Sequence, residues 1–232
     1  MGSFGRYGVI ALLASAAMFL TGCATNRSEI KVAAPPAPAT APVVTKPRAV
    51  VIQSITDQRV FEQAPRTPNV PSLGFGGAAA ASEAVKTRAL GRKRNGYGKA
   101  LGDVLLQQGQ TVTDLVRDNL GSAFQQVGYR VAVDAASAGP DPLLVDVQIR
   151  RLWSWVDMGF WALTMNSDVE TTLHIKGSEA ASAVTIGVHA EETQGAATDG
   201  AWLSIVQKGL AAYRQEAVKQ LGAPGFPPPS AK

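Results

Sequence analysis

Apolar and polar residues alternate in three runs of the chain. Val145, Val147 and Ile149 alternate with Asp146, Gln148 and Arg150, and the run continues toward Trp153 and Trp155. Val169, Thr171, Leu173 and Ile175 alternate with Glu170, Thr172, His174 and Lys176, and Val184, Ile186, Val188 and Ala190 with Thr185, Gly187, His189 and Glu191. Period two puts each set on its own face of a strand, and the turn-rich gaps between the runs predict an antiparallel meander. Two other stretches repeat at three and four, the helical period. Val112, Leu115, Val116, Leu120, Ala123, Phe124 and Val127 form one apolar stripe, opened by Thr111 and Asp114 at capping-box spacing and closed by Gly128. Trp202, Ile205, Val206, Leu210, Tyr213 and Ala217 form another, between about Asp199 and Leu221, with Gly222 as its stop.

The remaining elements are shorter. Ala49 to Ile55 is a β-branched run and predicts a buried strand, ending at Thr56-Asp57 and followed by Gln58-Arg59. A long irregular segment passes through Pro65, Pro68, Pro71 and Gly74, and loops of that length are functional or disordered. Glu83 to Leu90 fits either a short strand or a helical turn. Gly91 to Lys99 reads as a basic hairpin or loop, because Asn95-Gly96 is a strong turn signal, and Leu101 to Leu106 would return as a strand. Tyr129 to Val133 alternates as a strand after the first helix. The sum is an α+β domain spanning residues 48–222, with a small antiparallel or mixed sheet and two helices packed on one face.

The N-terminus is patterned differently. After Arg6, an apolar run from Val9 to Leu20 leads into Leu20-Thr21-Gly22-Cys23, which predicts a secretory signal over residues 1–22 that is removed on processing. Leu-Thr-Gly-Cys resembles the lipobox of bacterial lipoproteins, which implies that Cys23 carries the lipid, palmitate included. Acyl chains at roughly 0.8 kcal/mol per buried methylene hold a chain on a membrane without spanning it. Residues 23–47 are rich in Pro, Ala, Thr and Val and predict a semi-stiff polyproline II tether after the lipidated cysteine. Pro224 to Pro229 predicts a disordered tail over 223–232.

Composition narrows the chemistry. Cys23 is the single cysteine, so no intramolecular disulfide forms and the domain rests on its apolar core. The only histidines, His174 and His189, sit at outward-facing strand positions. No metal site, no cofactor motif and no nucleophile-base arrangement is expected. Gly96, Gly98, Lys99 and Gly102 miss both the phosphate-loop and the dinucleotide spacing. The formal net charge is only +4, but Lys86, Arg88, Arg92, Lys93, Arg94 and Lys99 fall together with no acid among them. Arg92, Lys93, Arg94, Tyr97 and Lys99 are therefore a candidate site for an anionic partner, the alternative being a solvated loop. Export argues against nucleic acid as a partner, which leaves lipid head groups, lipopolysaccharide phosphates, peptidoglycan carboxylates or an acidic protein face. Trp153, Trp155, Phe160 and Trp161 are a second candidate: core if packed inward, an apolar interface if exposed.

The lipobox, the Pro-rich tether, Val51 through Asp57-Gln58-Arg59, Gly91-Arg92-Lys93-Arg94-Asn95-Gly96-Tyr97-Gly98 and Gly128-Tyr129-Arg130-Val131 together resemble the YajG-type family of uncharacterised proteobacterial lipoproteins. That resemblance implies a small α+β domain with no assigned reaction. Ala24, where aspartate would signal inner-membrane retention in such lipoproteins, implies the periplasmic leaflet of the outer membrane. The expectation is a lipid-anchored, non-catalytic module that binds or positions an envelope protein or anionic polymer. The alternatives are an accessory lipoprotein in assembly of a transport or flagellar machine, and, more distantly, an envelope hydrolase.

Overall fold

The computed structural model describes residues 27–38, 42–74, 76–176 and 182–230; the signal segment and Cys23 lie outside them. Among the described residues, eight strands and four helices follow in the order β1 (Ser28–Ile30), β2 (Ala49–Asp57), α1 (Glu83–Lys86), β3 (Ala89–Arg94), β4 (Ala100–Leu106), α2 (Val112–Val127), β5 (Arg130–Ala132), α3 (Ala135–Ala138), β6 (Leu143–Met158), β7 (Leu163–Lys176), β8 (Ser182–Gln194) and α4 (Asp199–Leu221). The fold is α+β on one mixed sheet.

The long strand β6 is its spine. Along one edge it pairs antiparallel with β7, which pairs antiparallel with β8, so the predicted meander forms. The other edge is shared: β2 runs parallel to the first half of β6, from Val50 opposite Leu143 to Asp57 opposite Ile149, and β3 meets the second half at Gly91 opposite Ser154. Beyond β2 lies β5; beyond β3 lie β4 and then β1.

Where β2 stops and β3 starts, carbonyls of β3 and β6 lose a ladder partner, and Arg59 takes them. Its Nη1 donates to Ala89 O at 2.6 Å and Leu152 O at 3.0 Å, and its Nη2 to Lys86 O at 2.8 Å and Asp57 Oδ2 at 2.8 Å. The side chain is fully buried, so each of these bonds replaces one that water cannot make.

The helix face of the sheet carries the main core. Val145, Val147, Ile149, Val169, Leu173 and Ile186 pack against Leu115, Val116, Leu120 and Phe124 of α2 and Trp202, Ile205, Val206 and Tyr213 of α4. The capping box at Thr111 and Asp114 is formed, and Gly128 ends α2 with φ +104°, where a Cβ would meet Val44. Asn119 joins the two helices, accepting from Arg214 Nη1 at 2.9 Å while its own amide donates to Leu115 O.

Three expectations change. The register of β6 shifts between Ile149 and Arg151, so Leu152 stays on the helix face while Trp153 and Trp155 turn to the other. There they are covered by the irregular segments 58–74 and 76–82, whose Leu73 and Phe61 pack on them and whose Pro68 O accepts from Trp153 Nε1 at 3.1 Å. These segments are thus a lid of the second core. Next, part of the expected tether is folded: Ser28–Ile30 pairs parallel with β4, Ile30 and Val32 are buried, and the Gln110 amide clasps the Val32 backbone through Val32 N–H to Oε1 and Nε2–H to Val32 O. Ile30 and Val32 supply apolar side chains on alternate positions that the composition of the stretch conceals. Finally, the expected disordered tail packs as far as Ser230: Phe226 lies against Phe124 and Tyr129, Tyr129 Oη donates to Pro227 O, and Arg48 N donates to Pro229 O at 2.6 Å.

Candidate functional site

The basic segment forms the predicted hairpin, β3–β4. Its turn is tightly built: Asn95 Oδ1 accepts from Tyr97 N at 3.0 Å and Lys99 N at 2.9 Å, Gly98 N donates to Asn95 O, and Gly98 takes φ +78°. Tyr97 is 99% exposed at its tip. The cations beside it are largely engaged. Arg92, Lys93 and Arg94 are strand residues and half-buried. Lys93 Nζ bonds Ser28 Oγ and lies 3.6 Å from Asp199, while Arg94 donates to Pro65 O, Gly98 O and Ser72 Oγ. Burial, opposed by the nearby Asp103, pulls the Arg92 pKa below its ordinary value; burial and then the charge of Arg92 do the same to Arg94. Farther back, Lys86 pairs with Glu83 and Arg88 with Glu29. The sequence count of unopposed cations therefore overstates the free charge, because strand pairing brings distant acids to them. Lys99 stays exposed.

The aromatic candidates divide. Trp153 is completely buried and Trp155 is 7% exposed, whereas Phe160 is 87% and Trp161 91% exposed. The latter two are the middle residues of the β6–β7 turn, closed by Gly159 N donating to Ala162 O at 3.0 Å, and their rings meet edge to face at 4.7 Å. A Cβ on Gly159 would sit 2.5 Å from Ala162 O, so this turn requires glycine there. Met158 beside it is half exposed. Full burial of a phenylalanine-sized side chain is worth roughly 1.5–3 kcal/mol, and the fold forgoes most of that at two adjacent positions.

Sheet topology brings these turns to one end of the molecule. β3 and β6 run parallel, matched at Gly91 and Ser154, so both hairpins point the same way. β1 runs parallel to β4 and therefore away from the turns, so the chain joins the sheet from that same end. Arg27 is held there, its Nε 3.1 Å from Asp103 Oδ2; the buried Asp103 also accepts from Gly74 N at 2.7 Å. Sequence reasoning found both segments but not their common end. That rests on one parallel pairing between strands more than sixty residues apart, a long-range contact with no local signal.

Two further polar clusters lie away from the hairpin turns. His189 Nδ1 lies 2.7 Å from Asp168 Oδ1, and Arg151 Nε 3.1 Å from Asp168 Oδ2, on the outer face beside Trp155. An open cavity of about 530 Å³ is lined by Asp57, Arg59, Phe61, Glu83, Lys86 and Thr87, but its charges pair with one another. Among the described residues no group of three His, Cys, Asp or Glu side chains could hold a metal ion, and no helix is long and apolar enough to cross a membrane.

No protein-family model and no curated protein matches the chain. Among solved structures, a Xanthomonas campestris protein of the family model DUF330 is similar over 84% of this chain and 92% of its own, at 14% identity and a TM-score of 0.46. A minor lipoprotein from Acinetobacter baumannii is similar over 49% of this chain and 87% of its own, at 15% identity and a TM-score of 0.34. A neuraminyllactose-binding hemagglutinin homologue from Helicobacter pylori is similar over 83% and 92%, at 11% identity and a TM-score of 0.40. At these scores the likenesses carry no argument about function, and the site stands on its geometry.

Proposed function

We propose that this protein is a lipid-anchored periplasmic lipoprotein of the outer membrane, a non-catalytic module that engages another envelope component through the hairpin end of its sheet. Cys23 is the lipidated residue and Ala24 the residue consistent with outer-membrane sorting. The observation that carries the reading is the display of Phe160 and Trp161 on a closed turn, at the end shared with Tyr97, Lys99 and the point where the chain from Cys23 joins the sheet. Large apolar side chains held outward on rigid turns give up burial in the free protein and lose little freedom when they are covered.

In-cell photo-crosslinking tests this. A photoreactive residue in place of Phe160 or Tyr97 captures an envelope component, whereas one placed at exposed Val133, away from both turns, does not. Equal capture from all three positions, or hydrolysis of peptidoglycan or ester substrates by the purified protein that a single substitution abolishes, overturns the reading.

A further inference from the structure

Only three residues of the sequence separate Cys23 from Arg27, where the described chain joins the sheet. Ser28 is already paired with Val104, and Arg27 is fixed beside Asp103. The four peptide steps from Cys23 to Arg27 can span at most roughly 14 Å when fully extended. Beyond the level of Asp103, β4 runs three residues back to Ala100 and then into its turn, which carries Tyr97 outward by about 10 Å or more. Beyond Ser154, level with Gly91 and Val104, β6 runs four residues to Met158, about 13 Å, before its own turn. The two turns thus stand out from the sheet about as far as the cysteine can be carried. A leaflet that holds acyl chains on Cys23 and lies across this end of the sheet is within reach of Tyr97, Phe160 and Trp161 together.

We infer that these two turns are a second, protein-borne membrane contact: they seat in the headgroup region of the same phospholipid leaflet that holds the anchor, and so fix the orientation of the domain. This deepens the function proposed above and rests on acylation at Cys23. The side chains suit that depth, because tyrosine and tryptophan combine an apolar ring with a polar edge and collect at membrane–water interfaces. Lys99 adds attraction to anionic lipid. Asp103 and Asp199 are matched by Arg27 and Lys93, and Asp157, Glu191 and Glu192 also stand toward this end, so the rings rather than net charge make the contact. A folded protein is the weaker occupant. The anchor brings the leaflet to this end of the sheet in every molecule, whereas no feature of the turns selects a protein surface.

The test uses the full-length acylated protein, purified from membranes and reconstituted into phosphatidylethanolamine–phosphatidylglycerol vesicles with brominated acyl chains. Of the four tryptophans, Trp161 alone is widely exposed, so it dominates any quenching by lipid. Brominated lipid is expected to quench part of the emission, and Trp161→Phe to remove that quenched part with melting temperature and acylation intact. Replacing Phe160 and Tyr97 by Asp should likewise reduce quenching at Trp161. Unchanged wild-type emission in brominated vesicles overturns the inference. If, in addition, a photoreactive residue at 160 captures an envelope protein in cells, the proposed binding role survives with a different occupant; if it captures nothing, both fail. A chain without acyl groups on Cys23 removes the basis of the inference.

Discussion

Arg27 Nε lies 3.1 Å from Asp103 Oδ2, and this ion pair fixes the beginning of the described chain at the end of the sheet from which both hairpin turns project. Asp103 is fully buried and also holds Gly74 of the segment covering Trp153 and Trp155. Asp103→Ala leaves the Gly74 amide unpaired, and a cost of about 1–3 kcal/mol is expected in chemical denaturation. Arg27→Ala should cost about 0–1 kcal/mol, because Arg27 is about one-third exposed, yet it should speed proteolysis of the N-terminal strand.

The segment after β1 should behave as part of the fold. Replacing residues 30–36 by Gly and Ser removes the buried side chains of Ile30 and Val32 while leaving Gln110 its backbone partners at position 32, and each lost side chain is worth roughly 1.5–3 kcal/mol. Thermal unfolding should shift downward clearly; an unchanged melting temperature would mean that the segment is the free spacer its composition suggests.

Gly91 sets the close approach of β3 to β6. A Cβ there would lie 2.6 Å from Ser154 O and 2.8 Å from Cζ3 of the buried Trp202. Gly91→Val should destabilise the protein by about 1–3 kcal/mol through overpacking. Hydrogen exchange should then rise first along β3 and at Ser154, where the two hairpins are aligned.

Asp146 gives the acid limb of stability a specific source. Lys176 Nζ at 2.8 Å and Ser54 Oγ at 2.5 Å bond its carboxylate, and these bonds, the lysine's first, hold its pKa below the ordinary value. A carboxylate depressed by folding stabilises above its unfolded pKa of about 3.9, and that contribution is lost as pH falls through the folded value. Asp146→Asn should therefore flatten the pH dependence of unfolding below about pH 4 and leave the region above pH 5 parallel to wild type, as urea titrations at stepped pH would read.

The elements with strong local periodicity were legible in the sequence. α2 (Val112–Val127) with its caps Thr111 and Gly128, α4 to Leu221 and the β6–β8 meander all stand where the apolar spacing puts them. What escaped were features decided at long range. Ser28–Ile30 is too short to show a period and is a strand only because β4 offers an edge. Trp153 and Phe160 belong to one apolar segment, and only the bulge in β6 and the turn at Gly159 send one into a core and the other outward. The cations from Lys86 to Lys99 count as unopposed along the chain, and it takes the fold to set Glu29 and Asp199 beside them.

The central claim is that the hairpin end of the sheet rests on the leaflet that holds the anchor. Its most direct test is fluorine NMR of fluorotryptophan-labelled, acylated protein in lipid nanodiscs doped with a paramagnetic headgroup. The account predicts that the Trp161 resonance broadens strongly while those of Trp153 and Trp202, set back in the two cores, persist. Broadening of all tryptophans alike, or of Trp202 before Trp161, would contradict it.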